Sequence, residues 1–294
     1  MTIKITCSPQ IVSYSQINLS LMKPKYLKLF FLIISINLFS QEENKEEIYN
    51  KYLRNGAYKY SYYRPEYQTY IDSALVLLPK NAFLWQQKAM PYFKRKKYEL
   101  GMQYIDKAVL YDDKYDKYLS YRAFIKCIFQ KNYNDALTDF DVLISHYNKG
   151  LIMDHYFYFY KALCLIQLNR YEEAPKYMNL SMELNIQNGG TPHYLELFYM
   201  GIIFYEKRQY TEAIQYFDKS LEQYPNFSDA QFYKAETYYF MHQKKEALEY
   251  FIKAKENLDK GYSINEDNAF YEDYPYQIKK WMIKNYFDIL DYHQ

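Results

Sequence analysis

Histidines, cysteines and paired carboxylates are the side chains that most often carry chemistry, and here their spacing assembles none. His146, His155, His193, His242 and His293 are scattered, with no two at the interval that puts imidazoles on one helix face. They read as surface residues near helix ends. Cys127 and Cys164 each fall inside an apolar stretch, where a thiol acts as a small hydrophobe, and with Cys7 they form neither a Cys-x-x-Cys pair nor a disulfide framework. The acidic pairs Asp112-Asp113 and Glu172-Glu173 lie in turns or at helix starts, where carboxylates suit the helix dipole. Lys94-Arg95-Lys96-Lys97 closes a helix, where cations suit the same dipole. With 37 Lys plus Arg against 35 Asp plus Glu, that one patch makes no case for nucleic acid. Neither a glycine-rich phosphate loop nor a Gly-x-Ser-x-Gly elbow occurs. The expectation is a protein with no catalytic residue, metal or cofactor.

What remains is the chemistry of rings. Tyr occurs 40 times and Phe 19 times, and aromatics make up 21% of 294 residues, more than one ordinary core needs. An AT-rich codon bias accounts for part of this, since Lys, Asn and Ile are abundant too. A surface that buries an apolar segment, or stacks sugar rings, would account for the rest. Such a surface needs a scaffold. Only 7 Gly and 9 Pro are present, too few turn formers for an all-β sandwich, while a 49% hydrophobic share is enough for a core, so helices are expected.

Small residues flanked by aromatics recur at Gly101, Ala136, Ala174, Ala213 and Ala247, spaced by 35, 38, 39 and 34 residues. The unit Tyr194–Phe227 carries Leu197, Gly201, Phe204, Tyr210, Ala213, Phe217 and Pro225 at its fourth, eighth, eleventh, seventeenth, twentieth, twenty-fourth and thirty-second places. The unit Ala82–Tyr115 repeats the pattern with Trp85, Ala89, Tyr92, Tyr98, Gly101, Ile105 and Ala108. On these residues the chain resembles a tetratricopeptide repeat protein, with units at 48–81, 82–115, 117–150, 155–188, 194–227 and 228–261. Short insertions fall at Asp116, 151–154 and 189–193. Two units fit less well: 117–150 has Phe124 where a small residue is expected, and 48–81 keeps only Tyr58, Ile71, Ala74 and Pro79. The expected fold class is all-α, a right-handed α-solenoid of six helix-turn-helix units.

In such a unit, small side chains let two helices approach closely while large ones fill the space between units. Helices of about a dozen residues are marginal alone, so stability must come from stacking. Pro91, inside a first helix, should kink or loosen it. Beyond Gly261 a polar linker leads to an amphipathic helix over Tyr276–Leu290, expected to cap the last unit within 262–294.

Residues 1–41 hold Lys4, Lys23, Lys25 and Lys28 and no acidic residue, leaving 33 basic against 35 acidic side chains in the body. Lys23–Lys28, then Leu29–Phe39, then Ser40-Gln41 have the charged, apolar and small-polar order of a signal peptide, with Met22 as the expected start. The apolar run is short of the roughly 20 residues of a membrane span, so membrane attachment is expected only if the leader stays uncleaved. No cysteine follows the run, which argues against lipidation. Export to a periplasmic or extracellular space is expected, and 42–47 reads as a charged, frayed linker.

The resemblance also implies a concave face, lined by set positions of each first helix. Carried over, these give Phe83 and Phe93 in the second unit, Tyr118 and Tyr121 in the third, and Tyr156 and Phe159 in the fourth. The fifth adds Phe198 and Tyr205 and the sixth Phe232 and Tyr239. This face is aromatic and almost uncharged, and it lacks the Lys, Arg and Asn with which relatives clamp a client's C-terminal carboxylate. The expected function is a non-enzymatic exported scaffold that takes a protein or peptide segment on these rings. A glycan-binding accessory module and a membrane-anchored assembly factor are the alternatives, and core packing of the same rings is the competing reading.

Overall fold

The computed structural model describes residues 44–289 apart from 115 and 267. The expected leader and its cleavage point lie outside the described residues. Residues 44–49 are helical and run into a π turn at Asn50–Arg54, so 44–47 are not frayed; Glu46 pairs with Arg54 at 2.6 Å. A 3-10 turn at Ala57–Lys59 leads to α1 (Pro65–Leu77). The helices α2 (Ala82–Lys94) and α3 (Tyr98–Leu110) form the next antiparallel pair. Then come α4 (Lys117–Phe124), which ends in a π turn at Ile125–Phe129, and α5 (Tyr133–His146). A two-stranded hairpin, β1 (Leu151–Ile152) with β2 (His155–Tyr156), precedes α6 (Phe157–Gln167) and α7 (Ala174–Gln187). The last pairs are α8 (Tyr194–Glu206) with α9 (Tyr210–Gln223) and α10 (Ser228–Phe240) with α11 (Lys244–Asp259). A final helix, α12 (Lys280–Ile289), packs on α11.

Each helix packs on the next, and the first helices of successive pairs also meet, α6 on α8 and α8 on α10. This is the stacking of an all-α solenoid. One core runs from Ala89 to Phe287, and a smaller one joins Ile48, Leu53, Tyr67, Ile71 and Leu84 at the N-terminal end; Phe83 and Trp85 pack against both. Close approach within a pair needs the missing side chains of two glycines. A Cβ on Gly201 would lie 2.5 Å from ring carbons of Phe217, and one on Gly101 2.4 Å from Phe93. Phe124, bulky where a small residue was expected, is itself fully buried, and the helix widens into its π turn directly after it. Pro91 does not break α2, which runs on to Lys94 without the one ladder bond that its missing N–H would make.

The five turns inside the pairs share one feature. Lys96, Lys131, Asn169, Arg208 and His242 all adopt left-handed φ values between 57° and 62°, and they recur at the same intervals as the small residues. In each turn the following N–H bonds back into the preceding helix, as in Lys97 N to Tyr92 O at 2.9 Å and Gln209 N to Phe204 O at 2.8 Å.

Between α11 and α12 the chain is irregular. Gly261, at φ 86°, ends α11, and Pro275 with Tyr276, at φ 60°, delays the next helix to Lys280. The expected helix over Tyr276–Leu290 is therefore shorter at its start, and the segment 262–279 is a strap.

Candidate functional site

The strap leaves the last helix pair, reaches the second pair and returns. Its two ends meet at Asp229, whose carboxylate accepts the Ile264 N–H at 3.1 Å and the Ile278 N–H at 2.8 Å. Burial pushes that carboxyl up to about 6 against the pull of those donors. At the far end Glu272 accepts from the Tyr98 hydroxyl and pairs with Lys96 at 3.0 Å, Lys94 lies 3.6 Å from the Tyr271 ring centre, and Lys131 donates to the Asp273 carbonyl. On the way back Tyr199 donates to the Pro275 carbonyl at 2.8 Å and Tyr276 to Glu206 at 2.7 Å. Ile264, Tyr274 and Ile278 are buried. The helices and turns of the pairs thus hold an irregular, turn-rich stretch of the chain itself, much of it through side-chain bonds to backbone.

Beside the strap an open cavity of about 600 Å³ lies between α2, α4 and the hairpin, lined by Gln86, Met90, Ser120, Tyr121, Tyr147, Ile152 and Met153 among others. Its wall abuts the strap at Met153, whose sulfur accepts from Asn268 Nδ2 at 3.6 Å. On the strap's other flank is a cavity of about 250 Å³ lined by Met153, Asp154, His155, His193, Asn265 and Glu266.

That second cavity gathers the titratable side chains that sequence reading had left apart. His155 is 4% exposed, stacks on Phe159 at 4.1 Å between ring centres, and has Nε2 3.3 Å from Glu266. The His193 ring centre is 5.0 Å from that of His155. Burial first, and His155 beside it second, push the His193 imidazole down to about 4. His155 is therefore no surface residue. The missed signal was positional: His155 follows one insertion and His193 closes the other, so both stand where the repeat pattern is interrupted.

Residues 194–227 match the tetratricopeptide repeat family model. Among solved structures, a tetratricopeptide repeat protein from Parabacteroides merdae is similar over 85% of this chain and 99% of its own, at 14% identity and a TM-score of 0.58. PilW, a type IV pilus biogenesis factor, is similar over 74% and 93%, at 16% identity and a TM-score of 0.57. MamA from Desulfovibrio magneticus covers 61% and 96%, at 14% identity and a TM-score of 0.52. The chain has the fold of a tetratricopeptide-repeat solenoid. No curated protein matches its sequence.

The ten rings assigned to the concave face of this solenoid divide by exposure. Phe93, Tyr118, Tyr156, Phe159, Phe198 and Phe232 are buried, the three last-named phenylalanines completely. They pack against neighbouring rings, as Phe198 does against Phe227 at 5.1 Å and Phe232 against Phe251 at 5.5 Å. Phe83, Tyr121, Tyr205 and Tyr239 are half-buried. Tyr205 donates to Glu236 of α10 at 3.1 Å, and Tyr239 packs edge-on against Tyr286 of α12. Phe83 packs against Tyr49. Tyr121 alone among the ten borders the open cavity. The physical reason is ring packing within and between successive pairs, joined at the last pair by Tyr286 of α12: much of the face that the sequence presents as a groove is core.

Cys127 and Cys164 are buried free thiols, and burial, then the neighbouring Cys127, raises Cys164 far above the ordinary thiol range. No described helix is long and apolar enough to cross a membrane.

Proposed function

We propose that the protein is a non-enzymatic, exported scaffold whose inner face receives an extended, largely uncharged segment of another protein in the cavity between α2, α4 and the hairpin. One observation supports this reading: the helix pairs already hold 262–279, an irregular stretch that doubles back, through side-chain bonds to its backbone. The open cavity continues that surface, and its Gln86, Ser120 and Tyr147 supply further hydrogen-bonding groups beside apolar Met90, Ile152 and Met153. The acid-free leader supports export. A partner in this reading is a protein or peptide, with neither nucleic acid nor cofactor involved.

The test is selection of peptides from a displayed random library against the full chain. Extended aromatic and aliphatic peptides should be enriched, and Tyr121→Ala should weaken them by a factor on the order of 30, the equivalent of about 2 kcal/mol for an anchoring ring. Phe198→Ala, by contrast, should lower folding stability by about 3 to 5 kcal/mol. Peptides that bind Tyr121→Ala and the parent protein equally well would remove the cavity from consideration.

A further inference from the structure

The two insertions in the repeat pattern do something the repeats do not. The first forms the β1–β2 hairpin, whose turn residues Met153 and Asp154 both take positive φ, 47° and 63°, and it delivers His155. The second delivers His193 to the N-terminus of α8. There the buried Glu196 accepts the His193 N–H at 2.8 Å and is itself held by Ser181 at 2.5 Å and Asn185 at 2.8 Å. Both imidazoles are thus fixed from behind, one by its stack on Phe159 and the other by a buried carboxylate on its backbone. The third member, Glu266, arrives from the strap.

One donor atom from each of the three lies within 4.8 Å of the others, beside a cavity of about 250 Å³ with room for an ion and a water. Two imidazoles and one carboxylate form a donor set that zinc takes with an open fourth position, whereas calcium and magnesium want oxygen alone. Tetrahedral zinc with bonds of about 2.0 to 2.1 Å places its donors roughly 3.3 Å apart, so the widest gap must close by about 1.5 Å. Glu266 is the member able to move, because it sits on irregular chain. His193 Nδ1 accepts the Leu195 N–H at 3.4 Å, a long bond; an ion on Nε2 shifts the ring proton to Nδ1 and gives that bond up.

We propose that His155, His193 and Glu266 bind a divalent metal ion, zinc foremost, and that this ion clasps the strap to the solenoid. It would join the hairpin, the end of the second insertion and the strap, at the midpoint of the strap's outward course. The ion site does not depend on what the open cavity binds.

The experiment titrates the full chain, stripped with a chelator, with zinc alone. One equivalent should bind, cobalt in its place should show the visible absorption of a tetrahedral site, and the melting temperature should rise by roughly 5 °C at a hundredfold excess over Kd. Phe270, 88% exposed at the far end of the strap, offers a chymotrypsin site, and zinc should slow cleavage there. Glu266→Gln keeps the side chain's size and should weaken zinc at least tenfold and abolish its effect on cleavage. His193→Gln should weaken it likewise. Equal affinity in the parent and Glu266→Gln, or no binding at millimolar zinc, overturns the site. Binding of one equivalent with unchanged cleavage at Phe270 overturns the clasp. Should the metal-free melt show that Glu266→Gln is misfolded, Glu266→Asp, which withdraws the carboxylate by one methylene, gives the same reading.

Discussion

Glu236 is a carboxyl in the wrong place for a charge. It lies on α10, accepts hydroxyl bonds from Tyr205 of α8 at 3.1 Å and Tyr286 of α12 at 2.5 Å, and feels the like charge of Glu206. Burial, the leading cause, pushes it up to about 7 from an ordinary 4.5. A raised acid holds its proton longer in the folded state, so its contribution to stability is complete below about 4.5 and is lost as pH rises through 7. Across that window the loss should be on the order of 2 to 3 kcal/mol. Glu236→Gln should therefore flatten the fall in melting temperature between pH 5 and pH 8. Parallel curves for the two proteins would show that Glu236 ionises freely. The burial of this residue, like that of His155 and Asp229, was illegible in the sequence. Its burial depends on Tyr286, which lies 50 residues further along and on another element.

The helix pairs were the legible part. A small residue opposite a ring is a local pattern, and the contacts of Gly101 with Phe93 and Gly201 with Phe217 both join residues fewer than 20 positions apart. The five left-handed turns could not be read in this way, because only Asn169, and more weakly His242, belong to types enriched at such a φ. Lys96, Lys131, Arg208 and His242 accept it because each turn is fixed by helices on both sides. Relief of that strain is testable. Arg208→Gly should stabilise the protein by about 1 kcal/mol, since an L side chain in this region costs roughly 1 to 2 kcal/mol and glycine returns part of the gain as unfolded-state entropy. Chemical denaturation midpoints of the two proteins measure it; a lower midpoint for the glycine variant would mean that Arg208's side chain contributes more than its backbone costs. The strap was missed for the opposite reason. Read locally, 262–279 is a polar linker, and its partners Lys96, Tyr98 and Lys131 are more than 140 residues away.

At the scale of the whole chain, the proposed export rests on the basic, acid-free segment 1–41. Protein recovered from its native cell should begin at Gln41 or Glu42 after cleavage of the basic and apolar segment, as N-terminal sequencing would show. An N-terminus at Met1 or Met22 on protein recovered from the cytoplasm would reverse the assignment.

A stack of helix pairs is mechanically a coil spring, because each pair touches only its neighbours and small tilts at every joint add up to a large change in pitch. The strap changes that elasticity. By tying Asp229 of the last pair to Lys96 and Tyr98 of the second, it acts as a bowstring across the coil, so the joints between can no longer bend independently. The pitch of the stack is then limited by 262–279, and severing that string should leave a more compliant molecule built from the same helices.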